Sequence, residues 1–393
     1  MNKYLLNLKT IFGISAVYFI YLLVFCKYMF PSADTFYYWE WSRHLQLSYY
    51  DGPPIIAYVV KLITLVFGDN VFALNLLGAF YIYIIAWLSY KIGTKFNQQT
   101  GYIAAIVALL YPFTITRFVL INVTYDGLEC IWVLAIIYTT MLYLESRAPR
   151  WIYLIGILSG LLLLSKYSGI ILLFALLLYF VFNSKERIIY KSIHIYIAML
   201  ICALMFIQVI IWNINNGWAS FHYQLTAHLW SDGLIGHRDN LPNRFGLSGV
   251  IYYLWGSFAV TMHILVVYLL YVFIAKKPKF KELPQALSLL IYLAIFYFVF
   301  WLLLSFAAHV GMNYMICLSA ITIIICSYFL DKYSQQWHLK WLIPVFIIIS
   351  TFIMLHICSL TRAKDHLCYG SPMNKYQICY KSYIDTGLIK YSR

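Results

Sequence analysis

IFGISAVYFIYLLVFCKYMF (residues 11–30) runs through PSA into DTFYYWEWSRHLQLSYYDGPP (residues 34–54). The first part is long and apolar enough to cross a bilayer, which takes about 20 residues. The second sets two carboxylates, Asp34 and Asp51, among Tyr and Trp and closes on Pro53-Pro54. Charge so close to a hydrocarbon span is costly, and acids placed there usually face a cavity or a substrate.

Apolar runs like the first recur along the chain. Of 393 residues, 63% are hydrophobic and 11% charged, which excludes a soluble globular domain. The runs fall at 11–30, 71–90, 102–117, 128–144, 151–164, 167–182, 192–211, 250–274, 286–306, 312–330 and 341–358. The expected fold class is therefore all-α, a polytopic membrane protein of about eleven transmembrane helices with interfacial helices in its first external loop. The interruption Ser165-Lys166-Tyr167 divides 151–182 into a tight hairpin. The first span is too long for a cleaved signal peptide and lacks a small-residue cleavage site.

Lys and Arg give the orientation, because cytoplasmic loops are enriched in them. With the N-terminus inside, every inner loop is basic: Lys3 and Lys9, Lys91 and Lys95, Arg147 and Arg150, Lys185 to Lys191, Lys276 to Lys281, Lys332 and Lys340. The net charge of +14 is thus mainly a topology signal, and its scatter over separate loops excludes nucleic acid as a partner. The outer face then carries 31–70, 118–127, Lys166, 212–249, 309–313 and the tail. A transporter should show polar groups at mid-membrane on broken helices and symmetry between halves. Acids gathered on one face suit an enzyme at the outer membrane boundary instead.

Residue by residue, the first loop allows more than one reading. Asp34 stands where a helix can start and could cap its free N–H groups. Tyr38, Trp41 and Leu45 recur at helical spacing over 36–47, and their clustering reads as an interfacial aromatic belt. Asp51 before Gly52-Pro53-Pro54 could be a turn residue, with the second Pro starting an amphipathic helix over 55–67. Lys166 at a helix end could snorkel to the interface.

The pattern Asp34, Tyr37-Tyr38, Trp41-Ser42, Leu45, Tyr49-Tyr50-Asp51, Pro53-Pro54 resembles the first external loop of bacterial GT-C glycosyltransferases related to protein O-mannosyltransferases and lipid A aminoarabinose transferases. Thr124-Tyr125-Asp126 resembles that family's second external acid and Leu164-Ser165-Lys166-Tyr167 its Ser-Lys-Tyr hairpin. Trp212-Asn213, Gly217-Trp218, Ser220-Phe221 and Tyr223-Gln224 resemble its later external motif. The resemblance implies inverting transfer of a sugar from a polyprenyl-phosphate donor to a glycolipid or protein acceptor, on the outer face of a bacterial inner membrane. It implies Asp34 and Asp126 as catalytic residues, Asp34 being the base. Lys166 is the cation for the lipid phosphate, with Arg117 and Arg43 behind it. Asp51, Tyr50, Tyr167, Trp218 and Gln224 belong to the substrate-binding set. For Asp126 three roles stay open: orienting the acceptor, sharing a divalent ion with Asp51, or capping its helix. Replacing Lys166 by Ala or Arg is expected to leave the fold intact.

Three departures from the pattern matter. Relatives commonly have Asp-Glu where Asp34-Thr35 stands, His where Gly52 stands, and Arg where Asn75 follows Leu74. Either the acceptor differs or activity is weak. The other classes open to the chain are a lipid or sugar flippase and an inactive relative serving as a scaffold. No cofactor is implied. The ten His have no HExxH spacing, and His222, His228 and His309 read as interfacial or hydrogen-bonded, although the carboxylates could hold a hard cation. The membrane catalytic unit is expected over 1–360, with a short external tail over 361–393 in which Cys368 and Cys379 can pair. The remaining cysteines, Cys26, Cys130, Cys202, Cys317, Cys326 and Cys358, lie in apolar spans as small hydrophobes.

Overall fold

The computed structural model describes residues 13, 15–20, 22–23, 33–110, 123–229, 246–260, 268–279, 282–307 and 310–333. The span over 341–358, most of that over 11–30, Arg117, His309 and the tail with Cys368 and Cys379 lie outside them. Among the described residues there is no strand. The helices are α1 (Ala33–Arg43), α2 (Ile55–Phe67), α3 (Val71–Gly93), α4 (Gln98–Leu110), α5 (Tyr125–Ser146), α6 (Pro149–Ser165), α7 (Ile170–Phe182), α8 (Ile193–Asn215), α9 (Ala219–Leu229), α10 (Gly246–Val260), α11 (Gln285–Leu304) and α12 (Ile316–Tyr333). Helices α3, α5, α8 and α11, and α12 with the turn before it, are long and apolar enough to cross a membrane. This is a multi-pass membrane protein.

Local chemistry sets the helix ends. The Asn70 side chain accepts from Ala73 N at 3.0 Å and starts α3. Helix α4 begins four residues before its apolar run because Asn97 Oδ1 accepts from Thr100 N at 2.9 Å. Arg147, at φ 57°, turns the chain out of α5, and Pro149 opens α6 where its missing N–H costs nothing. Helix α1 starts earlier and stops earlier than its aromatic spacing suggests. The Tyr49 hydroxyl reaches back to the Trp41 and His44 carbonyls at 2.9 and 3.1 Å, taking over the acceptors that a longer helix would use.

The aromatic residues of α1 are not an interfacial belt. Phe36, Tyr38, Trp39 and Trp41 are buried, Trp41 stacks on Tyr49 with centroids 4.0 Å apart, and Trp39 Nε1 donates to Asp69 at 2.6 Å. Their apolar area is satisfied by α2 and the loop rather than by lipid headgroups, so α1 is bolted to the bundle.

Helix α12 is the centre: 83% of its span is buried, against 17% for α8 at the periphery. Small residues let helices approach. A Cβ on Gly93 would lie 2.7 Å from Gly101 Cα, across the α3–α4 pair, and one on Gly156 would lie 2.6 Å from the Ala198 carbonyl oxygen, across α6–α8. Gly156→Ala is expected to cost about 1–3 kcal/mol through overpacking. A lower melting midpoint in detergent checks it, and an unchanged midpoint would mean that α6 and α8 slide apart freely.

One end of the bundle is tied by polar clamps. Arg147 grips Glu186 with both terminal nitrogens, Nη2 at 2.7 Å, and Gln285 donates to the same carboxylate at 2.8 Å. Lys95 pairs with Glu145 at 2.6 Å, and Asp331 accepts from Asn97 and Thr100 at 2.7 and 3.1 Å. Asp34, Asp51, Asp126 and Lys166 stand at the opposite helix ends, away from these basic loops.

Candidate active site

Helix α5 presents Asp126, Glu129 and Trp132 three residues apart, so all three side chains face the hairpin between α6 and α7. Asp126 Oδ1 lies 2.8 Å and Glu129 Oε2 3.1 Å from Lys166 Nζ. Ser168 Oγ donates to Glu129 Oε1 at 2.6 Å, and Trp132 Nε1 donates to Ser165 Oγ at 2.9 Å. This ladder fixes the register of the hairpin against α5. Lys166, Asp126 and Glu129 are 7%, 1% and 4% exposed, so the ammonium is held inside rather than snorkelling. It also lies 4.4 Å from the ring centre of Tyr314 and 5.3 Å from that of Tyr125, on faces that attract a cation.

Lys166 forms one wall of a cleft lined also by Asp51, Pro53, Tyr125, Tyr167, Ser168, Gln224 and Tyr314. The opposite wall comes from the first loop. Gln224 Nε2 donates to the Asp51 carbonyl at 2.5 Å and reaches its carboxylate at 3.5 Å. The Tyr167 hydroxyl lies 2.8 Å from Ser220 Oγ and 3.4 Å from Ser48 Oγ, and Ser48 Oγ donates to the Gly52 carbonyl at 3.2 Å. Tyr167 thus joins the hairpin, α9 and the first loop. Burial and, second, the negative charge of Asp34 push the Asp51 carboxyl up to about 7. Asp34 itself is exposed in the first turn of α1, a near neighbour of the cleft.

Asp51, Lys166, Tyr167 and Gln224 therefore share one cleft, with Asp126 directly behind Lys166. Tyr50 packs on Tyr223 at 4.7 Å beside it. Trp218 is 48% exposed at φ 61°, where its N–H reaches the Asn213 carbonyl at 2.7 Å, and it does not line the cleft. Arg43 also lies off it, over the Trp39 ring at 4.9 Å and 3.3 Å from Glu40. Sequence reasoning missed Glu129 and Tyr314. Glu129 had a usable signal, an acid inside an apolar run three residues beyond Asp126. Tyr314 comes from the turn before α12, and nothing local marks it.

The departures from the family pattern have a physical side. Thr35 is fully buried, and its hydroxyl accepts from Val123 N at 3.4 Å, tying α1 to the segment that leads into Asp126. A Cβ on Gly52 would meet nothing within 4 Å, so the lost side chain left open space. Among the described residues, no group of three or more His, Cys, Asp and Glu side chains converges on a metal position.

The model of the dolichyl-phosphate-mannose-protein mannosyltransferase family matches residues 51–212, the stretch that carries Asp51, the α5 ladder and the hairpin. Over that stretch the chain is similar to this family. A lipid A galacturonosyltransferase of Rhizobium johnstonii is 27% identical over 238 residues, 57% of this chain and 48% of its own. The chain thus spans about half the length of that curated relative. Two structures of ArnT from Cupriavidus metallidurans share the fold. The one bound to undecaprenyl phosphate has a TM-score of 0.65 at 16% identity, covering 86% of this chain and 62% of its own. The apo form has a TM-score of 0.66 at 15% identity, covering 95% and 67%.

Proposed function

We propose that this protein transfers a sugar, with inversion, from a polyprenyl-phosphate donor to a hydroxyl of an envelope acceptor at the outer face of a bacterial inner membrane. A glycolipid is favoured over a protein acceptor. The observation that carries the reading is the buried Lys166 ammonium in the wall of a cleft that also holds Asp51 and adjoins Asp34. An ammonium in a water-poor cleft suits the charge that grows on a leaving lipid phosphate. The Rhizobium relative's lipid A specificity and the undecaprenyl phosphate bound to ArnT support the acceptor and donor classes.

In this mechanism an acceptor hydroxyl gives its proton to Asp34 as its oxygen attacks the anomeric carbon. The bond from that carbon to the phosphate oxygen breaks, and the electron pair leaves on polyprenyl phosphate beside Lys166. Asp126 holds Lys166 from behind. Two carboxylates with environments pushed apart divide into a proton acceptor and a proton keeper. Asp34, exposed, is the acceptor; Asp51, pushed up to about 7, keeps its proton below that pH and there spares the phosphate a like charge. The reaction needs no organic cofactor. Purified protein supplied with polyprenyl-phosphate sugars, and mass spectrometry of lipid A and surface glycans with and without the protein, test the reading. Identical glycans and no consumption of any donor would overturn it.

The Asp51 assignment has its own test. Its proton leaves near pH 7, and the resulting charge repels the donor phosphate, so kcat/KM should fall as pH rises through about 7. Asp51→Asn stays neutral throughout and should flatten that alkaline limb while retaining turnover below it. Loss of activity at every pH would show that Asp51 takes part in the chemistry itself.

A further inference from the structure

Gln224 lines the cleft, yet its amide is committed to the protein. Nε2 donates to the Asp51 carbonyl at 2.5 Å and reaches Oδ1 of the same residue at 3.5 Å. The first contact is a full hydrogen bond and the second is at the limit of one, so Gln224 holds Asp51 mainly by its backbone. That backbone belongs to a turn closed on itself. Tyr49 N donates to the Gly52 carbonyl at 3.0 Å, Gly52 N to the Tyr49 carbonyl at 3.3 Å, and Ser48 Oγ to the Gly52 carbonyl at 3.2 Å. A pull on Asp51 therefore moves the whole turn. Helix α9, which carries Gln224, is itself fixed. Asn213, fully buried in α8, accepts from Ser220 N and Phe221 N at 3.2 and 3.3 Å and caps the start of α9. Ser220 lies four residues before Gln224 on the same face, with its hydroxyl 2.8 Å from that of Tyr167. One face of α9 is thus fastened at two points, to the hairpin that carries Lys166 and to the turn that carries Asp51.

We infer that Gln224 is a positioning residue rather than a substrate ligand, holding the turn so that the Asp51 carboxyl stays inside the cleft it shares with Lys166. The inference rests on the reading of Asp51 as the carboxyl that keeps its proton. Burial is the first cause of that retention and the Asp34 charge the second. A turn freed from Gln224 relaxes toward water, and Asp51 then titrates closer to the ordinary carboxylate range. A direct bond from Gln224 to the carboxylate would act with the opposite sign, since a donor favours the charged form. The two roles therefore move the pH profile in opposite directions. The other groups that face Asp51 are Asp34 and Tyr38 from α1, Tyr125 from α5, Lys166 and Tyr167 from the hairpin, and Tyr314 from the turn before α12. All of them are retained when Gln224 alone is changed.

Gln224→Met keeps the length of the side chain and deletes the donor. Its kcat/KM profile reads the effect, measured on the purified full chain with the polyprenyl-phosphate sugar that wild type consumes, in the wild-type and Asp51→Asn backgrounds. The alkaline limb is expected to begin about one pH unit lower than in wild type, a loss of about tenfold at about pH 8 and much less at about pH 5. In the Asp51→Asn background the same change should add no pH-dependent loss, because no carboxyl remains there to ionise. Ser220→Ala, which frees α9 from the hairpin one turn earlier, is expected to move the limb in the same direction. A limb that stays in place in both variants, or rises in Gln224→Met, overturns the inference. So does a loss that is uniform in pH and equal in both backgrounds, the mark of a substrate ligand. These three results leave the proposed transfer standing. A wild-type profile with no alkaline limb, or one that Asp51→Asn does not flatten, removes the reading of Asp51 and this inference with it. Failure of wild type to consume any donor removes the proposed function as well.

Discussion

Asp34→Asn is expected to reduce sugar transfer by about 10²–10⁴-fold, the usual cost of removing a general base, with the protein still folded and inserted. The substitution keeps the volume of the side chain and deletes its negative charge and with it the capacity to take up a proton. Asp34 is exposed in the first turn of α1, so a change that keeps the side chain's volume disturbs no core packing. The loss of a first-turn acid at an exposed site costs about 0.3–1 kcal/mol of interaction with the helix dipole. A second readout comes from Asp51. Part of what raises its pKa is the Asp34 charge, so neutralising Asp34 lets Asp51 ionise at lower pH. In the residual activity of Asp34→Asn, the alkaline limb should therefore begin below the wild-type position. Near-normal turnover with purified protein and donor would remove Asp34 from the catalytic role.

The parts of this fold that were legible in the sequence are those governed by local chemistry. Helix α2 has the bounds that its apolar run between Pro54 and Gly68 implies, because Pro fixes the start and Gly68, at φ 86°, ends it. The hairpin at Lys166 was legible for the same reason: a polar triplet cannot continue through a hydrocarbon span. The aromatic residues of α1 misled, since Tyr and Trp at that depth suit both a headgroup belt and a core, and only the position of α2 decides between them. Within the site, the carboxylates of the first loop and of first helical turns were found, and the one a turn further into α5 was not. Glu129 is surrounded in sequence by Leu128, Cys130 and Ile131, and its partners Lys166 and Ser168 arrive from another helix pair. Arg43 shows the reverse case, a charge that sequence places near the phosphate and that the Trp39 ring and Glu40 hold off the cleft.

Lys166→Ala is expected to cost both donor binding and stability, which corrects the simpler view that the fold is indifferent to this residue. Without the ammonium, Asp126 and Glu129 remain buried at 1% and 4% exposure and lose the opposite charge that lies 2.8 and 3.1 Å from them. Removing one partner of a buried ion pair costs about 3–5 kcal/mol, a large share of the stability of any domain. Arg at this position keeps the charge but brings a planar fork in place of a compact ammonium seated 4.4 Å from the Tyr314 ring centre, so it should hold the fold and only part of the donor affinity. The double variant Lys166→Ala with Glu129→Gln separates the two losses. It removes one of the stranded charges and should regain much of the melting midpoint, yet its transfer should stay far below wild type because no cation faces the phosphate. Normal donor binding by that folded double variant would place the phosphate elsewhere and leave Lys166 as a tie between α5 and the hairpin.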